Sequence, residues 1–138
     1  PQTVNPQQPT DTSISFQDVT FSYKNEGNPA LSEINCYMAP ATVTAFIGTS
    51  GAGKSTIAKL IPRFWDVDSG VIKIGGVDVR EMTSETLMNY VSFVFQDTFL
   101  LYDTIKENIR LGRSNATDAE VEAAAKASRA HDFILELL

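Results

Sequence analysis

A chain of 138 residues with 43% apolar and 20% charged side chains is long enough for one domain with a packed core. Its formal charge of −6 argues against a nucleic-acid binder, which needs a basic face for phosphates. Cys36 and His131 are single, so an internal disulfide and a histidine-based zinc site are excluded, and no apolar run reaches the ~18 residues of a membrane span.

In chain order, residues 1–12 are rich in Pro, Gln, Thr and Asn and are expected to be a linker or tail. Order is expected from Ser13. "SISFQDVTFSY" alternates imperfectly with period two and reads as a strand, "KNEGNPA" as a turn, and "LSEINCYM" as a second strand with Cys36 as a small apolar member. Thr42 to Ile47, "TVTAFI", is short, apolar and β-branched, as a strand buried on both faces would be.

Next comes "GTSGAGKST", Gly48 to Thr56. Beyond it Ile57, Leu60, Ile61 and Phe64 share one helical face, and Pro62 should kink or end that helix. "GVIKIGG" reads as a hairpin, "SETLMNY" as a short helix capped by Ser84, and "VSFVF", Val91 to Phe95, as a second apolar strand. "DTIKENIRLG" is amphipathic. Thr117 and Glu120 form a T-x-x-E capping box, which predicts a helix from about Asp118 to Ala127 and a further helix to the terminus, with His131 as a polar helical position.

Gly48, Gly53, Lys54 and Ser55 fit G-x-x-x-x-G-K-[ST], the P-loop. Glycines let the backbone turn so that successive N–H groups converge on phosphate oxygens. Lys54 supplies a point charge for the β and γ phosphates, the Ser55 hydroxyl a ligand for Mg²⁺, and the following helix its positive end. The pattern arises by chance on the order of 10⁻⁵ to 10⁻⁴ per window, so the spacing is specific. The cradle as a whole, Gly48, Thr49, Ser50, Gly51, Ala52, Gly53, Lys54, Ser55 and Thr56, is the expected site for ATP or ADP with Mg²⁺. P-loop proteins usually add an apolar strand ending in Asp. The candidate is "VSFVFQD", which leaves open a small P-loop kinase or NTPase with Asp97 as its magnesium aspartate, or a non-catalytic nucleotide-binding module.

From about Ser13 to Leu138 the chain resembles the nucleotide-binding domain of ABC transporters, more closely the exporter type. "VTFSY" looks like the strand before the adenine site, "GTSGAGKST" like the family's P-loop, "RFWDVDSGVIKIGGVDV" like its exporter run, and "VSFVFQDTFLLYDTIKENIRLG" like its Q-loop region. The resemblance implies an α/β fold: a P-loop NTPase core with an antiparallel β subdomain to about residue 100, then the start of a helical subdomain over about 101–138. It makes Tyr23 the platform under adenine and Gln96 the Q-loop glutamine. Gln96 would contact Mg²⁺ and water, contribute to catalysis with Lys54, and sense a transmembrane domain, while Asp97 becomes a loop residue.

Three small departures from the family pattern stand out: Ala41 where a turn glycine is frequent, Thr49 where proline is frequent, and Gly75 where aspartate is frequent. One is large. The signature LSGGQ, the Walker B strand with its glutamate, the D-loop and the switch histidine do not occur in these residues, and His131 is not that histidine. The chain is therefore expected to be the first part of such a domain. The resemblance implies a parent ATPase on the cytoplasmic face of a membrane, a bacterial inner membrane by the wording of the Q-loop region. Its partners would be a transmembrane domain, fused or separate, and a second nucleotide-binding domain in a head-to-tail dimer, with no nucleic acid.

Overall fold

The computed structural model describes residues 7–24 and 27–137. The expected tail over 1–6 and part of the expected turn at "KNEGNPA" lie outside the described residues. Two units form, Pro1–Val94 and Phe95–Leu138.

The first unit is built on a four-stranded antiparallel sheet in the order β2-β1-β3-β4, with β1 Ile14–Phe21, β2 Leu31–Met38, β3 Ser69–Ile74 and β4 Val77–Asp78. The imperfect alternation of β1 has a physical cause. A register shift between Phe16 and Val19 places Phe16, Val19 and Phe21 on the buried face, three residues apart and then two. Asp18 sits at the shift with φ of 49°, and the Asn35 side chain holds it from both sides: the Asp18 N–H donates to Asn35 Oδ1 at 3.0 Å and Asn35 Nδ2 to Asp18 Oδ1 at 2.7 Å. In β2, Glu33 has φ of 50°, and the core face passes from Leu31 to Ile34, Cys36 and Met38 instead of staying on one alternating set.

Helix α1, Lys54–Leu60, lays Leu60, Ile57 and Ile61 into the core formed by β1 and β3. It stops before Pro62, which has no N–H to continue the ladder and whose ring would clash with the turn behind it. Behind that stop, Arg63 pairs with Asp66 at 2.6 Å and donates through Nη1 to the Arg80 carbonyl at 3.3 Å. Arg80 in turn pairs with Asp78 at 2.7 Å. Burial would push the Asp78 carboxyl up, but the hydrogen bonds from Arg80 outweigh it and hold the group below its ordinary value. These contacts tie the end of α1 to the β3–β4 hairpin.

Helix α2, Ser84–Tyr90, is capped by Thr83 and not by Ser84, because Ser84 is already helical and the Thr83 hydroxyl accepts from the Thr86 N–H at 3.1 Å. Part of the expected tail is attached to the sheet: Thr10 donates through both N and Oγ1 to the Gly75 carbonyl, each at 3.1 Å, and the Gly75 N–H donates to the Ser13 carbonyl at 2.8 Å.

Two sequence expectations differ from the structure. Neither Thr42–Ile47 nor Val91–Phe95 pairs into a strand. A central strand is stable only with hydrogen-bonded neighbours on both edges, and among the described residues these segments have none. Several of their apolar side chains accordingly stand in the open, with Val43 100%, Ile47 95% and Val94 93% exposed, while Val91 packs against the core and Phe93 against Phe64.

The second unit holds α3, Ile105–Arg110, α4, Asp118–Ala127, and α5, His131–Leu135. The Thr117–Glu120 capping box forms as expected, with the Thr117 N–H donating to Glu120 Oε2 at 2.8 Å. Val121 and Ala125 turn inward, and Arg110 bridges α3 to α4 by a 2.6 Å pair with Asp118. His131 opens α5, 4.0 Å from Glu122.

Candidate functional site

The P-loop begins in the exposed segment that leads out of Thr42–Ile47 and closes on α1. Gly51 and Gly53 have φ of +81° and +82°, the left-handed region that L side chains resist. At Gly53 space is limiting as well, because an added Cβ would lie 2.6 Å from Leu31 Cδ2 and 3.0 Å from the Ala30 carbonyl oxygen. The first residue of β2 and the one before it are therefore packed directly on the loop. Gly53 is also the N-cap of α1 and offers no side-chain acceptor, so the first-turn N–H groups are left for another acceptor.

A cavity of about 500 Å³ opens on this loop. Tyr23, Ser50, Gly51, Gly53, Lys54, Ser55 and Thr56 line it, so seven of the expected site residues come together. Gly48, Thr49 and Ala52 complete the loop behind the wall: the Ala52 N–H donates to the Thr49 carbonyl at 3.3 Å. Lys54 Nζ folds back onto the loop and donates to the Gly48 carbonyl at 2.9 Å and the Thr49 carbonyl at 2.5 Å. Its partners are carbonyls, and among the described residues no carboxylate neutralises it. An incoming anion therefore competes with neutral dipoles rather than with a salt bridge.

Tyr23 stands two residues beyond β1 at the mouth of the cavity. Its ring meets Phe21 edge-on at 4.9 Å and Trp65 edge-on at 5.3 Å between centroids, and its hydroxyl is 3.0 Å from Thr56 Oγ1. Thr56 is buried in the first turn of α1. Gln96 lies in the second unit, exposed at a bend beside Asp97.

Three wall residues were not legible as site residues: Asn28, Pro29 and Ala30, which sequence alone assigns to a turn. The hairpin register held the signal. Phe21 pairs with Leu31, so residues just before Leu31 must lie near those just after Phe21, including Tyr23. Trp65 left no periodic signal of its role against Tyr23. No group of three or more His, Cys, Asp or Glu side chains clusters to hold a cation among the described residues. A magnesium ion here would depend on the Ser55 hydroxyl and on the phosphates it accompanies, a donor set of hard oxygens that suits it.

A glycine loop closing on a lysine-led helix, with the Tyr23 ring lining the same cavity, defines a P-loop nucleotide-binding protein of α/β class. The ABC transporter family model matches residues 31–137. The chain is 47% identical over 124 residues to a Staphylococcus aureus (strain NCTC 8325) protein assigned as a multidrug export ATP-binding/permease protein, covering 90% of this chain and 22% of that one. It is 46% identical over the same length to the counterpart from a bovine strain. Among solved structures, a bacterial Atm1-family ABC exporter with ATP bound superposes with a TM-score of 0.89 at 38% identity, over 96% of this chain and 23% of that one. The chain belongs to the ABC transporter family and has the fold of part of an exporter ATPase domain. It spans about 22% of the length of the curated relatives it matches. Neither a small kinase built on Asp97 nor a separate non-catalytic module finds support among these relatives.

Proposed function

We propose that this chain binds MgATP as part of the ATPase domain of an exporter-type ABC transporter, in which ATP hydrolysis drives substrate across a membrane. The observation that carries the reading is the single cavity shared by Lys54, Ser55 and Tyr23, which offers a cation, a magnesium-ligating hydroxyl and an aromatic face to the three parts of one nucleotide. Residues 48–56 hold the phosphates by loop N–H groups, and Lys54 leaves the Gly48 and Thr49 carbonyls to meet the β and γ phosphates. Ser55 ligates the magnesium, and adenine stacks on Tyr23. Stacking on an aromatic side chain is indifferent to the identity of the base, so discrimination among bases would have to come from elsewhere in the wall.

Gln96 is the second magnesium and water contact and the residue that reports to a transmembrane domain. Residues to about 100 form the β subdomain and P-loop part, and about 101–138 begin a helical subdomain. The whole protein would work at the cytoplasmic face of a bacterial membrane with its permease part and a second nucleotide-binding domain arranged head to tail. Fused ATP-binding/permease relatives support the first of these partners. No helix among the described residues is long and apolar enough to cross a membrane.

Isothermal titration of MgATP into this chain and its Lys54→Ala form tests the reading. Binding that disappears or weakens by at least tenfold in the variant supports it; equal affinity overturns it.

A further inference from the structure

Tyr23 lies past the end of β1, where the strand ladder has stopped. Its place is fixed from the turn of residues 63–68, which leads from α1 to β3. Arg63 and Asp66 pair at 2.6 Å and close a loop whose two inner residues are Phe64 and Trp65. Asp68 then grips the backbone on either side of Phe21: its N–H donates to the Thr20 carbonyl at 3.0 Å, and the Ser22 N–H donates to Asp68 Oδ2 at 2.7 Å. From the same turn Trp65 reaches the Tyr23 ring, 5.3 Å between centroids and 87° between planes. Phe21, Tyr23 and Trp65 form a triangle with centroid separations of 4.9, 5.3 and 6.2 Å, inside the ~4.5–7 Å range over which aromatic pairs attract. Phe21 is buried in the core, but Trp65 is 42% exposed and takes no part in the wall of the nucleotide cavity. An indole so placed adds little to the core, and its shortest ring contact is with Tyr23.

We infer that Trp65 is a positioning residue for the base platform: presented by the 63–68 turn, it holds the Tyr23 ring ready for the base without touching the nucleotide itself. A ring on a stretch of chain outside the ladder would otherwise lose its rotamer freedom when the base stacks, and immobilising one such side chain costs affinity about two- to tenfold. Trp65 removes that cost in advance. Its effect is confined to ligands that carry a base. A ligand that is only a chain of phosphates fills the cradle, never reaches Tyr23 and gains nothing from the brace. The inference rests on the proposed nucleotide site and adds a residue outside the cavity that sets its affinity.

The test titrates MgATP and magnesium tripolyphosphate into the unaltered chain, Trp65→Leu and Trp65→Phe, and MgATP into Tyr23→Ala and the Trp65→Leu/Tyr23→Ala pair. Trp65→Leu keeps apolar bulk at the turn and removes the ring; Trp65→Phe keeps a ring. Trp65→Leu should weaken MgATP by about two- to tenfold and leave tripolyphosphate unchanged. Trp65→Phe should restore MgATP to within about twofold of the parent. The pair should bind MgATP no worse than Tyr23→Ala alone, because Trp65 acts only through that ring. Unchanged MgATP affinity in Trp65→Leu overturns the inference. Equal loss of both ligands there overturns it by making Trp65 a support of the whole fold. A Trp65→Phe form as weak as Trp65→Leu overturns it by showing that no ring is required, and additive losses in the pair overturn it by giving Trp65 a contact of its own with the nucleotide. Tyr23→Ala and Lys54→Ala test the site itself. MgATP unchanged in Tyr23→Ala removes the platform and the inference with it, and tripolyphosphate unchanged in Lys54→Ala defeats the cradle assignment. Both results are distinct from a failure confined to the Trp65 variants.

Discussion

Gly51 and Gly53 share nearly the same backbone conformation, φ of +81° and +82°, but not the same surroundings. An added Cβ at Gly51 meets nothing within 4 Å, whereas at Gly53 it would meet Leu31 Cδ2 at 2.6 Å and the Ala30 carbonyl oxygen at 3.0 Å. Gly51→Ala therefore costs only the left-handed conformation, about 1–2 kcal/mol. Gly53→Ala costs that and the overlap with a core leucine and a backbone oxygen, a further ~1–3 kcal/mol by the usual penalty for overpacking. Leu31 is buried in the core and the carbonyl belongs to the chain entering β2, so neither can give way cheaply. Urea unfolding followed by fluorescence measures the difference, since Trp65 is the single tryptophan and packs against Phe21 and Tyr23. The expected result is a Gly53→Ala midpoint well below that of Gly51→Ala, with nucleotide affinity reduced in both. Equal stability losses would refute the reasoning, because they would mean that the contact between β2 and the loop exerts no steric demand.

Three further outcomes are expected. Ala41 holds φ of 56°, so Ala41→Gly should raise stability by about 1 kcal/mol, read from the urea midpoint; no gain would remove backbone strain as a feature of that turn. The Glu120 carboxyl is lowered from 4.5 to about 2, chiefly by the Thr117 backbone N–H, then by the Thr117 hydroxyl and Arg113. Its folded value lies below the unfolded one, so its contribution is full above about pH 4.5 and is lost as pH falls toward 2. Helical circular dichroism should show this acid loss and Glu120→Gln should blunt it, while identical acid profiles would deny the capping box a role. Lastly, these 138 residues should release no phosphate above a Lys54→Ala control. The same chain lengthened by about 100 residues, roughly the rest of a ~200–250-residue domain, should hydrolyse ATP steadily. Robust turnover by the shorter chain would return Asp97 to consideration as a magnesium ligand.

Much of the cradle was determined by the sequence alone, and the reason is local. A P-loop is one contiguous run whose glycines, lysine and hydroxyl act through backbone turns and a helix start, so Gly48 to Thr56 can be read without knowing what surrounds them. The same holds for α1 ending before Pro62, the hairpin at Gly75–Gly76 and the Thr117–Glu120 box, each governed by residues at most a turn apart. Tertiary structure decided what depends on partners. Thr42–Ile47 and Val91–Phe95 have the composition of buried strands, but pairing is a property of neighbours, and among the described residues they have none. The alternation of β1 and β2 breaks because shifts near Asp18 and Glu33 change which face is buried, a choice made by cross-strand packing and by Asn35. The far wall of the cavity is set the same way. Ala30 and Leu31 press on Gly53, and Tyr23 reaches Thr56, only because the sheet brings the ends of β1 and β2 against the first turn of α1. No local propensity encodes an approach of that kind, since it arises from burying Phe21, Leu31 and Leu60 in one core.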